Sequence, residues 1–190
     1  MKVNMAYREF IIACVARIPY RDRDSIFFST SVQNEITYTL WDYLAQIAAL
    51  RPGGNGFSPA PGWYFKPNDL KPHDVVVYFV RDRMSSIASR AGGVFNGNPE
   101  GAGYTSPTPH GIVSEVYVDD NLPAKKLANI AFHELMHNKL DTGARWVTDI
   151  HTRGGIGTSP TNERSVLTAP NKQLLAQHMF KPVRQYTGAM

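Results

Sequence analysis

The sequence predicts an α+β fold, with helices and a small number of strands enclosing one core in a chain of 190 residues. Three observations carry that expectation. Residues 32–50 repeat apolar side chains at helical spacing, residues 74–80 form a β-branched apolar run, and residues 111–119 alternate before a second helical stretch begins near residue 121. A single domain with its core between about residues 32 and 180 accounts for all of them.

Along the chain, the first marked feature is the short apolar run at residues 10–16, which resembles the core of a signal segment. Its flanks argue against that role, because Arg8 and Glu9 precede it and Arg17 follows. The first helix is expected over 32–50, where Ile36, Leu40, Tyr43, Leu44 and Ile47 share a face, and Pro52-Gly53-Gly54 ends it. A Gly/Pro-rich passage then leads to residues 74–80, whose unbroken apolar character marks an inner strand. Turn signals such as Asn96-Gly97 and Asn98-Pro99 make residues 91–109 a surface loop or the rim of a cleft. In 111–119, Ile112, Val116 and Val118 alternate with Glu115, Tyr117 and Asp119, as in a half-exposed edge strand. The next helix takes Asp120 or Asn121 as its cap and Pro123 in its first turn. Leu127, Ile130, Ala131 and Leu135 form its apolar stripe, Lys139 suits the dipole of its last turn, and Asp141-Thr142-Gly143 ends it. A last helix is expected over 172–180, capped by Asn171.

Composition narrows the function classes. Hydrophobic residues make up 43% and charged residues 19% of the chain, and no apolar run approaches the roughly 20 residues of a membrane helix. The net charge of +4 is spread over scattered arginines rather than a stripe, so neither nucleic acid nor membrane is an expected partner. Cys14 is the only cysteine, which leaves histidines and carboxylates as candidate metal ligands and makes Cys14 itself a small buried residue.

The chemistry concentrates in His133-Glu134-Leu135-Met136-His137, an HExxH motif. Four residues along a helix turn the chain by about 40° beyond a full turn and advance it by about 6 Å, so both imidazoles reach one metal from the same face. Zinc is the expected ion. It polarises a bound water, and Glu134 stands beside the ligands as the general base that accepts the proton. His73 and His110, in Pro-rich segments, read as surface histidines.

The motif, set after a long helix, a buried strand and an edge strand, resembles the zincin metallopeptidases. The likeness spans about residues 32–180 and implies a zincin-like α+β fold. In it, a small twisted mixed sheet packs on the active-site helix, with an N-terminal backing helix and a C-terminal helix. It also implies hydrolysis of a peptide lying extended along the edge strand, here residues 111–119. The metzincin continuation HExxHxxGxxH is absent, since Leu140 and Gly143 occupy its Gly and third His. The gluzincin alternative, a Glu from a second helix, matches Asn162-Glu163 faintly, but Pro160 and Pro170 oppose a long helix there.

The third ligand therefore stays open among His151, Asp141, Asp149 and Glu163. His151 is the expected one, because the chain can turn back after Gly143 and Gly154-Gly155 permits close packing. Asp141 is the chief alternative and requires the helix to unwind before it, since eight residues from His133 span about 12 Å. If His151 is not a ligand, it is a natural donor to the oxyanion, a role for which Tyr104, Arg153, His178 and Tyr186 are further candidates. Ser165-Val166-Leu167-Thr168 resembles a metzincin Met-turn with Leu in place of Met.

The expected activity is zinc-dependent peptide-bond hydrolysis, with a water activated by Glu134 attacking the scissile carbonyl. Two alternatives stand beside it: a zinc amidase on a non-protein substrate, and a zincin-fold binding or toxin-like module. Peptide deformylases share HExxH but place a Cys third ligand in a Gly-Cys-Leu context that Cys14 lacks. Expected partners are a peptide or protein substrate and a protein inhibitor. The expected location is the cytoplasm, or the exterior by a signal-independent route.

Overall fold

The computed structural model describes residues 8–17, 28–81, 86–93, 102–118, 121–140, 150–158 and 161–188. Five strands form one sheet: β1 (Arg8–Arg17), β2 (Phe57–Trp63), β3 (Val75–Val80), β4 (Gly103–Thr108) and β5 (Gly111–Tyr117). Their order is β2-β1-β3-β5-β4, parallel throughout except for β4, which runs antiparallel to β5 at the edge. The described helices are α1 (Thr30–Ala48), the short α2 (Ile87–Arg90), α3 (Ala124–Leu140) and α4 (Ala169–His178). The fold is thus mixed α/β, and its sheet is mixed as expected, but it is larger and mostly parallel.

Parallel neighbours need a long crossover, and α1 supplies the one between β1 and β2. Ser29 caps that helix by accepting from the Val32 amide, and the turn at Pro52–Gly54, with Gly53 at φ 75°, follows it. The predicted stripe of Ile36, Leu40, Tyr43, Leu44 and Ile47 is buried as a unit. It meets Phe10, Ile12, Cys14, Val75, Val77, Phe79 and Val116 from the sheet, together with the inner faces of α3 and α4.

The opposite sheet face presents Ala13, Val15, Val76, Tyr78, Val80, Val113 and Tyr117, covered by Ile87, Ala88 and Ala91 around α2 and by Tyr186. With both faces covered, the strands of the sheet interior lose their alternation, which is why residues 75–80 read as an unbroken apolar run.

Several expectations are corrected here. Residues 10–16 belong to a strand near the centre of the sheet, ahead of residue 32 where the core was expected to begin, and Cys14 is fully buried in it. The Gly/Pro-rich passage contains β2, and the expected loop at 91–109 contains β4. Residues 111–117 are not an edge strand, because β4 takes the edge. Nor are Glu115 and Tyr117 exposed: the α2 segment covers them, and Glu115 accepts hydrogen bonds from Ser86 Oγ, the Ile87 amide and Tyr117 Oη. Burial nevertheless raises the Glu115 carboxyl above its ordinary range.

The cap of the last helix is Thr168, with Asn171 buried in its first turn. His73 is a wedge rather than a surface histidine. Its side chain is 14% exposed, packs on Phe10 and Phe180, and bonds the Glu9 carbonyl at 2.9 Å. His110 is exposed in the β4–β5 turn, as read from the sequence. Among the described residues, no helix is long and apolar enough to cross a membrane.

Candidate metal centre

Helix α3 begins at Ala124, with Pro123 just ahead of it and the Pro123 carbonyl accepting from the Leu127 amide at 3.1 Å. Asn121 lies three residues outside the helix at φ 74° and does not occupy the cap position, while Asp120 lies outside the described residues. From Leu127 to Leu140 nearly every side chain is buried, as befits a helix held between a sheet and other helices. Lys139 is buried too. It donates to the carbonyls of His73 and Lys181 rather than resting in solvent at the helix end.

Burial of that helix takes His133 and Glu134 inside, at 6% and 3% exposure. His133 Nδ1 lies 2.7 Å from the carbonyl of Ile156. A carbonyl only accepts, so Nδ1 carries the proton and the Nε2 lone pair faces the other way, 3.1 Å from His137 Nε2. Burial and then the neighbouring His137 push the His133 pKa down to about 4, which keeps the ring neutral and able to ligate.

The third ring arrives on the turn Ile150–Arg153. Close approach of that turn depends on Gly155, at φ 60°, where a Cβ would stand 2.1 Å from the Val166 carbonyl oxygen. The same strip holds Ile156 in place, since its amide donates to the Val166 carbonyl at 2.9 Å while its own carbonyl serves His133. Residues 165–168 thus brace the backbone behind His133, and Leu167 enters the core.

His133, His137 and His151 each offer a ligand atom, and these atoms all lie within 4.8 Å of one another. Three nitrogens around a tetrahedral ion at 2.0–2.1 Å stand about 3.3 Å apart, so the 3.1 Å His133–His137 spacing fits a shared ion to within a few tenths of an ångström. The group can hold a metal. Exposure rises from buried His133 through His137 to exposed His151, so solvent reaches the group from the His151 side.

Glu134 points its carboxylate at β4. Its Oε2 accepts from Thr105 Oγ1 at 2.7 Å, and a Cβ on Gly103 would come within 2.6 Å of Oε1. Burial raises its pKa to about 7, with Glu115 adding to the rise and His137 and Thr105 opposing it.

The structure thus brings together three of the residues singled out in the sequence and sets Glu134 between the first two along the helix. Asp141, Asp149 and the side chain of Arg153 lie outside the described residues. Glu163 is exposed in a turn, with no helix around it, and is not in the group. Tyr104 and Tyr186 pack on the sheet face opposite α3, away from the oxyanion role considered for them, and His178 closes α4 outside the group. Gly103, Thr105 and the Ile156 carbonyl were not anticipated. The available signal was Gly103-Tyr104-Thr105-Ser106 against residues 111–117 across a Pro109-His110 turn, which is a hairpin pattern. No protein-family model matches the chain, and no curated protein matches it.

Proposed function

We propose that the chain is a zinc-dependent hydrolase of peptide bonds, with His133, His137 and His151 as the metal ligands and Glu134 as the general base. The observation that carries this reading is the convergence of three histidine ligand atoms within 4.8 Å, two of them on the helix that also holds the buried Glu134 carboxylate and the third on the turn Ile150–Arg153. Imidazole donors without thiolates suit zinc, and three protein ligands leave a position open for water or substrate, as in other catalytic zinc sites. Bound there, zinc supplies Lewis acidity and brings the pKa of a coordinated water to about 7.

The chain's own residues supply the rest. Neutral His133, oriented by Ile156, offers its lone pair without first losing a proton. Glu134, with its pKa raised to about 7, is matched to accepting a proton at neutral pH and returning it to a leaving amine. In the reaction a water O–H bond and the scissile C–N bond break, a C–O bond forms, and the nitrogen leaves with the proton that Glu134 carried. A peptide suits the edge strand. Among the described residues β4 pairs with β5 alone, so an extended substrate can be added along its other side next to Glu134.

The test is zinc content and peptide cleavage measured together. Glu134→Gln is expected to keep one zinc per chain and lose cleavage, by at least about 100-fold if it is the general base. His151→Ala is expected to weaken zinc, in competition with a chelator, by more than the roughly 10- to 100-fold typical of an outer-shell change. Unchanged cleavage by Glu134→Gln would remove the proposed mechanism.

A further inference from the structure

The Glu134 carboxylate is held by a directional chain of hydrogen bonds that starts at the C-terminal segment. Gln185 is oriented by backbone: its Oε1 accepts from the Val76 amide at 3.3 Å and its Nε2 donates to the Val183 carbonyl at 3.3 Å. Those contacts set the polarity of its pairing with Asn138 on α3. Gln185 Nε2 donates to Asn138 Oδ1, and Asn138 Nδ2 donates to Gln185 Oε1, each at 2.9 Å.

Asn138 Nδ2 also donates to Ser114 Oγ at 3.0 Å. An amide N–H cannot accept, so the Ser114 proton goes elsewhere, and among the described residues its remaining partner is Thr105 Oγ1 at 3.0 Å. Thr105 is then left to send its single proton to Glu134. The side-chain oxygen Oε2 at 2.7 Å outcompetes the Glu134 carbonyl at 3.1 Å, being the closer acceptor.

We propose that Thr105 is a positioning residue for Glu134: it occupies Oε2, Gly103 lets Oε1 fit against the strand, and Oε1 is thereby left as the oxygen that takes the proton from the attacking water. Residues 103 and 105 lie on one face of β4, two positions apart, and both meet α3. Oε1 packs against Gly103, where a Cβ would come within 2.6 Å of it, so a side chain at 103 would displace the carboxylate. Ser114, Asn138 and Gln185 contribute by holding the Thr105 hydroxyl in the donating direction. The inference rests on the hydrolase reading.

Two measurements on the full zinc-loaded chain decide it. Thr105→Val, which keeps the shape and removes the hydroxyl, is expected to lower kcat on a cleaved peptide by about 10- to 100-fold, with KM and zinc content unchanged. Thr105→Ser is expected to restore most of it, and Ser114→Ala to give a smaller loss of the same kind. Wild-type kcat in Thr105→Val, or a loss that Thr105→Ser does not repair, overturns the proposal.

The second measurement needs no turnover. In a thermal-unfolding cycle of Thr105→Val and Glu134→Met, with and without chelator, the shifts are expected to miss additivity by roughly 2 °C or more. Additive shifts with an active wild type sink the Thr105 assignment alone. Non-additive shifts with a zinc-loaded wild type that cleaves no peptide sink the hydrolase reading and the Oε1 assignment with it, while leaving the Thr105–Glu134 contact established.

Discussion

Adjacent residues 133 and 134 are driven in opposite directions by the same burial. His133 is pushed down to about 4 because the charged ring loses hydration, and Glu134 is pushed up to about 7 because the charged carboxylate does. Their contributions to stability therefore oppose each other. Between about pH 6.5 and 4 the unfolded chain binds the proton that native His133 refuses, so acidification destabilises the fold. Between about pH 7 and 4.5 native Glu134 binds a proton that the unfolded chain lacks, so acidification stabilises it. Each effect is on the order of 3 kcal/mol, and in the metal-free chain they largely cancel. Glu134→Gln removes the second and exposes the first. Metal-free Glu134→Gln is expected to lose melting temperature on acidification from pH 7 to 4.5 more steeply than metal-free wild type, and parallel curves would contradict these assignments.

At the scale of elements, the contact that matters most is β4 against α3. β4 lies at the edge, antiparallel, and among the described residues it is joined to the body of the sheet through β5 alone. Gly103 lets it come down on the helix, where a Cβ would meet Glu134 Oε1 at 2.6 Å and Ile130 Cγ2 at 2.9 Å. Neither neighbour is free to move far, since Ile130 is in the core and Glu134 is bonded to Thr105. Gly103→Ala is expected to destabilise by about 1–3 kcal/mol, from overpacking, and to lower the melting temperature by roughly 2–4 °C for each of those kcal/mol. Thermal unfolding measures the first effect, and peptide cleavage at a temperature where the variant is folded measures the displacement of Glu134.

Across the whole molecule, Lys139 ties the C-terminal end of α3 to two distant segments, through the carbonyls of His73 and Lys181, while its ammonium faces the Phe10 ring at 5.4 Å. Burial lowers its pKa to about 7, against the pull of Asp74. From about pH 7 to 10.5 the unfolded chain holds a proton that native Lys139 has released, so this residue's contribution to stability rises with pH. The rise is on the order of 4 kcal/mol at most. The difference in melting temperature between wild type and Lys139→Met is expected to shift in favour of wild type as pH goes from 7 to 10. A pH-independent difference would show that Lys139 stays charged in the native state.

What the sequence determined by itself was local and periodic. The stripe of α1, the apolar run of β3 and the paired histidines of α3 are each legible because helix and strand geometry converts spacing into a shared face. Even His151 could be anticipated, because Gly154-Gly155 signals a close turn. What only the tertiary structure decided was coverage and pairing. Residues 10–16 became a central strand because β2 and β3 flank them, and Glu115 went inside because the α2 segment closes over it. Thr105 met Glu134 because an antiparallel turn of chain set it against Ser114, nine positions away. Burial and hydrogen-bond partners arise from elements distant in sequence, and they set the protonation of His133 and Glu134. The motif names those residues, and the fold sets their protonation.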